Sequence, residues 1–232
     1  MSPAFSAPHA LTAIFDIDYC LIDTSRAIAA YAQWFAATYS VPVEAVKAAD
    51  RLHDGQRHAF FADLKKRHRI KDPITKMYAD YCRRMPRLTP VRPEVCRMVR
   101  DLSDAGWRLA VLSNGCPDVQ RAKLRHSGLL RYFPPHRIVL SGEWGPRKPD
   151  RALFDVALDA ADVSDPSTAV MVGDSLGDDV AGGTAAGLRT IWVAHGRRLR
   201  DDDPQPDHVV QTVTDAVPLL LTANDLLVPV PA

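Results

Sequence analysis

Short apolar runs alternate with amphipathic stretches along most of this chain. Residues 11–15, 107–112, 137–140, 169–172 and 189–193 are rich in Val, Ile and Leu and continuous rather than alternating. That is the pattern of strands covered on both faces. Between the later runs, residues 94–105, 118–127, 151–161 and 179–186 carry apolar positions at helical spacing. Gly106, Gly128 and Gly187 stand where a left-handed residue closes a helix. Pro93 and Pro149 fall near helix starts, where a missing N–H does little harm. Strands alternating with helices predict an α/β fold with a parallel, doubly wound sheet.

One region breaks this rhythm. After the first run the chain shows only helical periodicity, first in Ile28, Tyr31, Trp34 and Phe35, then over residues 43–52, 60–68 and 74–82. Large aromatic side chains at that spacing read first as packing. The expectation is an all-helical cap domain over residues 25–88, inserted into a core formed by 1–24 and 89–232. Pro86, Pro90 and Pro93 stiffen the return to the sheet, and residues 228–232 read as a loose tail.

Composition narrows the partners. Of 232 residues, 47% are hydrophobic and 25% charged, with a formal net charge of +1. Nothing there favours nucleic acid or a membrane as partner. The densest basic run, Arg197-Arg198-Leu199-Arg200, is followed by Asp201, Asp202 and Asp203 and reads as a solvated, self-compensating loop. Cys20, Cys82, Cys96 and Cys116 form no C-x-x-C pair, so neither a structural zinc nor a disulfide framework is expected. The first residues lack a basic-then-apolar signal pattern, and no run reaches the ~20 apolar residues of a membrane span. A cytoplasmic protein is the expectation; oligomeric state is not encoded in any pattern here.

Ligands of doubly wound sheets bind at the carboxyl ends of the strands. Here those ends carry Phe15-Asp16-Ile17-Asp18, Leu112-Ser113-Asn114-Gly115 and Val172-Gly173-Asp174-Ser175, with Lys148-Pro149 on an intervening loop. Asp16 and Asp18 are two apart on extended chain and face the same side. Asp16 suits a nucleophile that attacks phosphorus, splitting one displacement into two. Asp18 suits the acid that protonates the leaving alkoxide and later takes a proton from water. Asp174 with Asp16 offers the hard oxygens that magnesium prefers. The Ser113 hydroxyl, the Asn114 N–H and Lys148 suit a transferring phosphoryl group.

In this order these stretches, with Leu21, Asp23 and Thr24 after the first and Leu176-Gly177-Asp178-Asp179 after the last, resemble the four motifs of the haloacid dehalogenase-like hydrolase superfamily. Gly182, Ala186 and Gly187 match the small residues of the helix that follows. The resemblance spans most of residues 10–193. It implies a Rossmann-like core, a helical cap placed after the first strand, and approach of a main-chain carbonyl, that of Asp18, to the metal. Ser175 and Asp179 are its supporting positions. Tyr19 and Cys20 depart from the pattern, where a glycine and a threonine usually stand; Cys20 reads as a buried stand-in for threonine.

With both Asp18 and Asp174 present, phosphate esters are favoured over carbon–halogen bonds. The expected activity is Mg2+-dependent hydrolysis of a small phosphorylated metabolite through an aspartyl-phosphate. A phosphomutase on the same core, or a catalytically idle relative that binds through its cap, remains open. Phosphonate cleavage would want a cap lysine, and Lys47, Lys65 and Lys66 read as helix-surface charges. Specificity is expected from the cap, in the polar break around residues 52–58, with His53 or Arg57 touching the leaving group, and from Tyr19.

Overall fold

In the computed structural model, which describes residues 11–53 and 56–222, the apolar runs form one sheet of six parallel strands. These are β1 (Thr12–Phe15), β2 (Arg108–Ser113), β3 (Ile138–Leu140), β4 (Ala169–Gly173), β5 (Arg189–Val193) and β6 (His208–Val210), in the spatial order β3-β2-β1-β4-β5-β6. The order runs outward from β1 in both directions, so the switch point lies between β1 and β4. Residues Thr12 to Phe15 pair with Ala169 to Val172 in register, which sets the ends of β1 and β4 side by side.

The sheet is covered on both faces, which explains the unalternating runs. Ala13, Phe15, Val111 and Val172 pack on one side with Val95, Val99, Leu124 and Leu220. Ile14, Leu112 and Met171 pack on the other with Leu153, Phe154 and Ala157. Four inserted helices precede α5 (Pro93–Asp104), α6 (Pro117–His126), the single turn α7 (Ser141–Trp144), α8 (Arg151–Ala160), α9 (Ala181–Ala185) and α10 (Ala216–Leu221), of which α5, α6, α8 and α10 supply these residues. Gly106, Gly128 and Gly187 have φ of +86°, +78° and +83°, as their places after helices required.

Between β1 and α5 the chain forms α1 (Thr24–Tyr39), α2 (Val43–His53), α3 (Arg57–His68) and α4 (Ile74–Leu88). They enclose a separate apolar cluster that includes Tyr31, Phe35, Phe60, Phe61, Leu64, Met77 and Tyr81, joined by Val119 of α6. Tyr31 and Phe35 are thus packing residues. Asp23 caps α1 by accepting from the Arg26 N–H.

Three features differ from the sequence expectation. Pro86 belongs to the last turns of α4 rather than to a linker, and Thr89 Oγ1 donates back to Pro86 O at 2.6 Å. The stretch expected as one helix over 179–186 opens with a π turn, Leu176–Val180, before α9. The short edge strand β6, with Val209 exposed, gave no apolar run long enough to read, and the apolar stretch of α10 was not singled out. The N-terminal segment, Asp54 and Gly55 of the polar break, and the tail at 228–232 lie outside the described residues. Among the described residues no helix is long and apolar enough to cross a membrane.

Candidate active site

Asp16 leaves β1 at the middle of the sheet, and its N–H donates to Val172 O of β4 at 3.0 Å. That bond starts its loop alongside the one that carries Asp174. Lys148 Nζ donates to Asp16 Oδ1 at 2.7 Å, to Asp179 Oδ1 at 2.6 Å and to Leu112 O at 3.0 Å. A single buried ammonium therefore ties the loop after β1, the end of β2 and the turn after β4 to the connection before α8. Asp16 and Asp179 hold the Lys148 ammonium above its ordinary range, against the opposing effect of burial.

Carboxylate oxygens of Asp16, Asp174 and Asp179 lie within 4.8 Å of one another. Burial lifts the Asp16 carboxyl to about 6; Lys148 opposes the rise, and Asp179 and Asp18 add to it. Burial, reinforced by Asp16 and Asp179, lifts Asp174 to about 7. Asp16 and Asp174, crowded beside Asp179, offer hard oxygens that a divalent cation fits, because its charge offsets the repulsion among the three. Asp174 is further held by Arg197, whose Nη2 donates to Asp174 Oδ2 at 3.1 Å and to Asp174 O at 2.6 Å.

The Asp18 side chain is not part of that cluster. Its Oδ2 accepts from Gln120 Nε2 at 2.8 Å, and its Oδ1 from Lys123 Nζ at 2.6 Å and from Thr24 Oγ1. Burial would raise its carboxyl, but Lys123 and these hydrogen bonds outweigh it and bring it down to about 2. Ser113 Oγ accepts from Gln120 Nε2 at 3.0 Å, which leaves the hydroxyl proton free to donate. The Asn114 side chain clamps the lysine loop instead: Oδ1 accepts from Lys148 N at 2.9 Å, and Nδ2 donates to Lys148 O and to Asp178 Oδ2, both at 3.1 Å. Ser175 supports the next turn, its Oγ accepting from Asp178 N and its N–H donating to Asp179 Oδ2.

Apart from Gln120, which sits behind its wall, these site side chains line one cleft of about 1610 Å³, with Tyr19 and Arg57 on its wall. Tyr19 has φ +58°, the left-handed region where a side chain is strained by roughly 1–2 kcal/mol and a glycine is not. Its carbonyl oxygen is bonded by His195 Nε2. Cys20 is fully buried, its Sγ donates to Val172 O at 3.4 Å, and burial pushes its thiol up, as suits a packing residue. Arg57 is ion-paired with Asp50 and lies 4.9 Å from the Tyr81 ring centre. His53 is placed elsewhere: it is not among the cleft residues, and its Nε2 faces Asp63 at 3.6 Å inside the inserted helices. Lys65 donates to Ile70 O, Lys71 O and Asp72 O, and Lys47 pairs with Glu44; neither they nor Lys66 line the cleft.

The sequence did not single out Gln120, Lys123 or Arg197. The first two are polar residues of an amphipathic helix, which read as solvent-facing. Arg197 belonged to a run that looked self-compensating, yet it also donates to Val193 O at 2.9 Å and so fastens β5 to the Asp174 loop.

Fold and site together define a Rossmann-like α/β protein whose switch point carries strand-end aspartates balanced by one buried lysine. The chain belongs to the haloacid dehalogenase-like hydrolase family, whose model matches residues 13–193. It is 42% identical to the phosphoserine phosphatase of Thermus thermophilus over 118 residues, which cover 51% of this chain and 46% of that protein. It is 31% identical to the glyceraldehyde 3-phosphate phosphatase of Methanopyrus kandleri over 162 residues, 66% of this chain and 68% of that one. The latter apart, the chain spans about half the length of the curated relatives it matches. Its fold is similar to that of the magnesium-bound HAD-hydrolase YfnB of Bacillus subtilis, with a TM-score of 0.78, 19% identity, and coverage of 92% of this chain and 99% of that one.

Proposed function

We propose that this protein hydrolyses small phosphate monoesters through an aspartyl-phosphate on Asp16, with Mg2+ bound by Asp16, Asp174 and the main-chain carbonyl of Asp18. The observation that carries the reading is the meeting of the Asp16, Asp174 and Asp179 carboxylates, two of them paired with Lys148, with Asp18 held apart on the same loop as Asp16. The names of the curated relatives, phosphatases of small phosphorylated molecules, support it.

Lys148 holds Asp16 Oδ1, which leaves Oδ2 to attack phosphorus. Asp179 anchors Lys148, and the ammonium balances charge on the phosphoryl oxygens as they approach. The Ser113 hydroxyl donates to one of those oxygens, and the Asn114 N–H to another. Bound Mg2+ would offset the repulsion between the carboxylates and the phosphate. Asp18 is ionised in the free protein; the negative charge of an arriving phosphate ester favours its protonation. It then gives that proton to the leaving oxygen and later accepts one from the water that cleaves the acyl phosphate. The helices over residues 25–88 act as a cap that shields this chemistry from bulk water. Tyr19 and Arg57 face the leaving group.

The test is release of inorganic phosphate from a panel of phosphomonoesters, with Mg2+ and with a chelator. Magnesium-dependent release supports the reading and ranks the substrates. No release from any ester by folded protein would count against hydrolysis and favour a phosphomutase or an idle relative.

A further inference from the structure

Asp18 is gripped by α6 as firmly as by its own loop. Gln120 and Lys123 are three residues apart on that helix and so share a face. Both are buried, Gln120 at 2% and Lys123 at 3% exposure. Lysine is seldom this deep unless its charge is answered, and among the described residues the hydrogen-bond partner of Lys123 Nζ is Asp18 Oδ1. Gln120 Nε2 reaches Asp18 Oδ2 at 2.8 Å and Ser113 Oγ at 3.0 Å, so one amide spans the proposed acid and the proposed phosphate-binding hydroxyl. Among the described residues Gln120 Oε1 has no hydrogen-bond partner. A glutamine kept only for packing would not leave a buried acceptor unmet, whereas one kept to bridge two site residues does so as a by-product. Helix α6 starts at Pro117, one residue beyond Ser113-Asn114-Gly115, and Val119 on the same helix packs into the apolar cluster of the inserted helices.

We propose that Gln120 and Lys123 are positioning residues for Asp18, fixing its carboxyl at the distance from the Ser113 phosphate pocket at which it meets the leaving-group oxygen. Neither touches the phosphoryl group. The inference rests on the phosphatase reading and adds to it the part that selects for basic leaving groups. Proton donation matters in proportion to the basicity of the departing oxygen: an alkoxide needs it and a nitrophenolate barely does. Misplacing Asp18 therefore harms alkyl phosphates selectively, whereas damage to the fold or to Asp16 harms all esters alike.

The experiment compares steady-state hydrolysis of an alkyl phosphate, glycerol phosphate, with that of p-nitrophenyl phosphate for the unaltered protein, Lys123→Met, Lys123→Arg and Gln120→Met. Methionine keeps the volume of each side chain and removes the hydrogen-bonding head. The expected result for Lys123→Met is a fall of about 10²-fold in kcat on the alkyl ester, the scale of a misplaced catalytic group, with KM nearly unchanged. On the nitrophenyl ester kcat stays within about threefold. Gln120→Met gives the same selective loss, and Lys123→Arg recovers part of it. Equal losses on both esters, or no loss on either, overturn the assignment. Should Lys123→Met fail to fold by circular dichroism, Gln120→Met carries the same comparison: selective loss upholds the assignment, and equal or absent loss overturns it. If the unaltered protein hydrolyses neither ester, the phosphatase reading falls and this assignment with it; hydrolysis without selectivity in the variants sinks this assignment alone.

Discussion

Gly173 and Asp179 touch: a Cβ on Gly173 would lie 2.2 Å from Asp179 Oδ2. The glycine ends β4 and the aspartate sits one turn further on, where it holds Lys148. Any side chain on residue 173 displaces the carboxylate that anchors the lysine. Gly173→Ala is expected to lower phosphate release by about 10²-fold or more, the scale of a misplaced catalytic group. The accompanying loss of stability should be about 1–3 kcal/mol, as for overpacking. Steady-state rates beside urea unfolding curves separate the two effects.

Gly182 tests packing away from the chemistry. A Cβ there would meet Phe154 Cε2 at 2.4 Å and Pro149 Cα at 3.1 Å. Alanine gains up to ~1 kcal/mol over glycine inside a helix, but forcing Phe154 aside costs about 1–3 kcal/mol. The clash wins, so Gly182→Ala is expected to lower the urea midpoint. Gly183→Ala, with its nearest contact at 3.0 Å to a methyl of Thr190, should be the milder of the two.

Metal binding should be visible as stability. A ligand that binds only the folded state at a hundredfold excess over its Kd contributes about 2.7 kcal/mol, which is several degrees in Tm for a chain of this size. Mg2+ is expected to raise the melting temperature of the unaltered protein and to do nothing for Asp174→Asn. Without metal, Asp174→Asn should melt no lower than the parent. It removes a half-buried acid that partial burial, reinforced by Asp16 and Asp179, already pushes toward its neutral form. Scanning calorimetry with Mg2+ and with chelator reads both effects.

On the leaving-group side, Tyr19→Gly trades a strained φ of +58° for a residue at ease there. Its stability should stay within about 1 kcal/mol of the parent, while KM rises for a bulky substrate and not for a small artificial ester. Arg57→Lys, which keeps the charge beside Asp50 but loses the flat guanidinium over Tyr81, should behave likewise. Equal changes for large and small esters would remove both residues from substrate recognition.

The legible part of this molecule lay at strand ends. Continuous apolar runs located β1 to β5, and the ends of the runs for β1, β2 and β4 pointed to Asp16, Ser113 and Asp174. Gln120 and Lys123 stayed hidden because a helix face is read against solvent by default. What turns theirs inward is that α6 begins at the rim of the site, a fact of topology and not of local pattern. His53 and Arg57 were indistinguishable in a polar break. Only the α3 start at Arg57 turns one into the cleft and the other toward Asp63. Residues 208–210 were too short and too exposed to announce an edge strand.

The most direct test of the central claim is phosphate release by Asp16→Asn in the presence of Mg2+, set against the parent on the best ester of the panel. Asparagine keeps the shape and removes the nucleophile, so the account predicts release indistinguishable from buffer by a variant that melts like the parent. Sustained release by folded Asp16→Asn would contradict it and move the nucleophile away from β1.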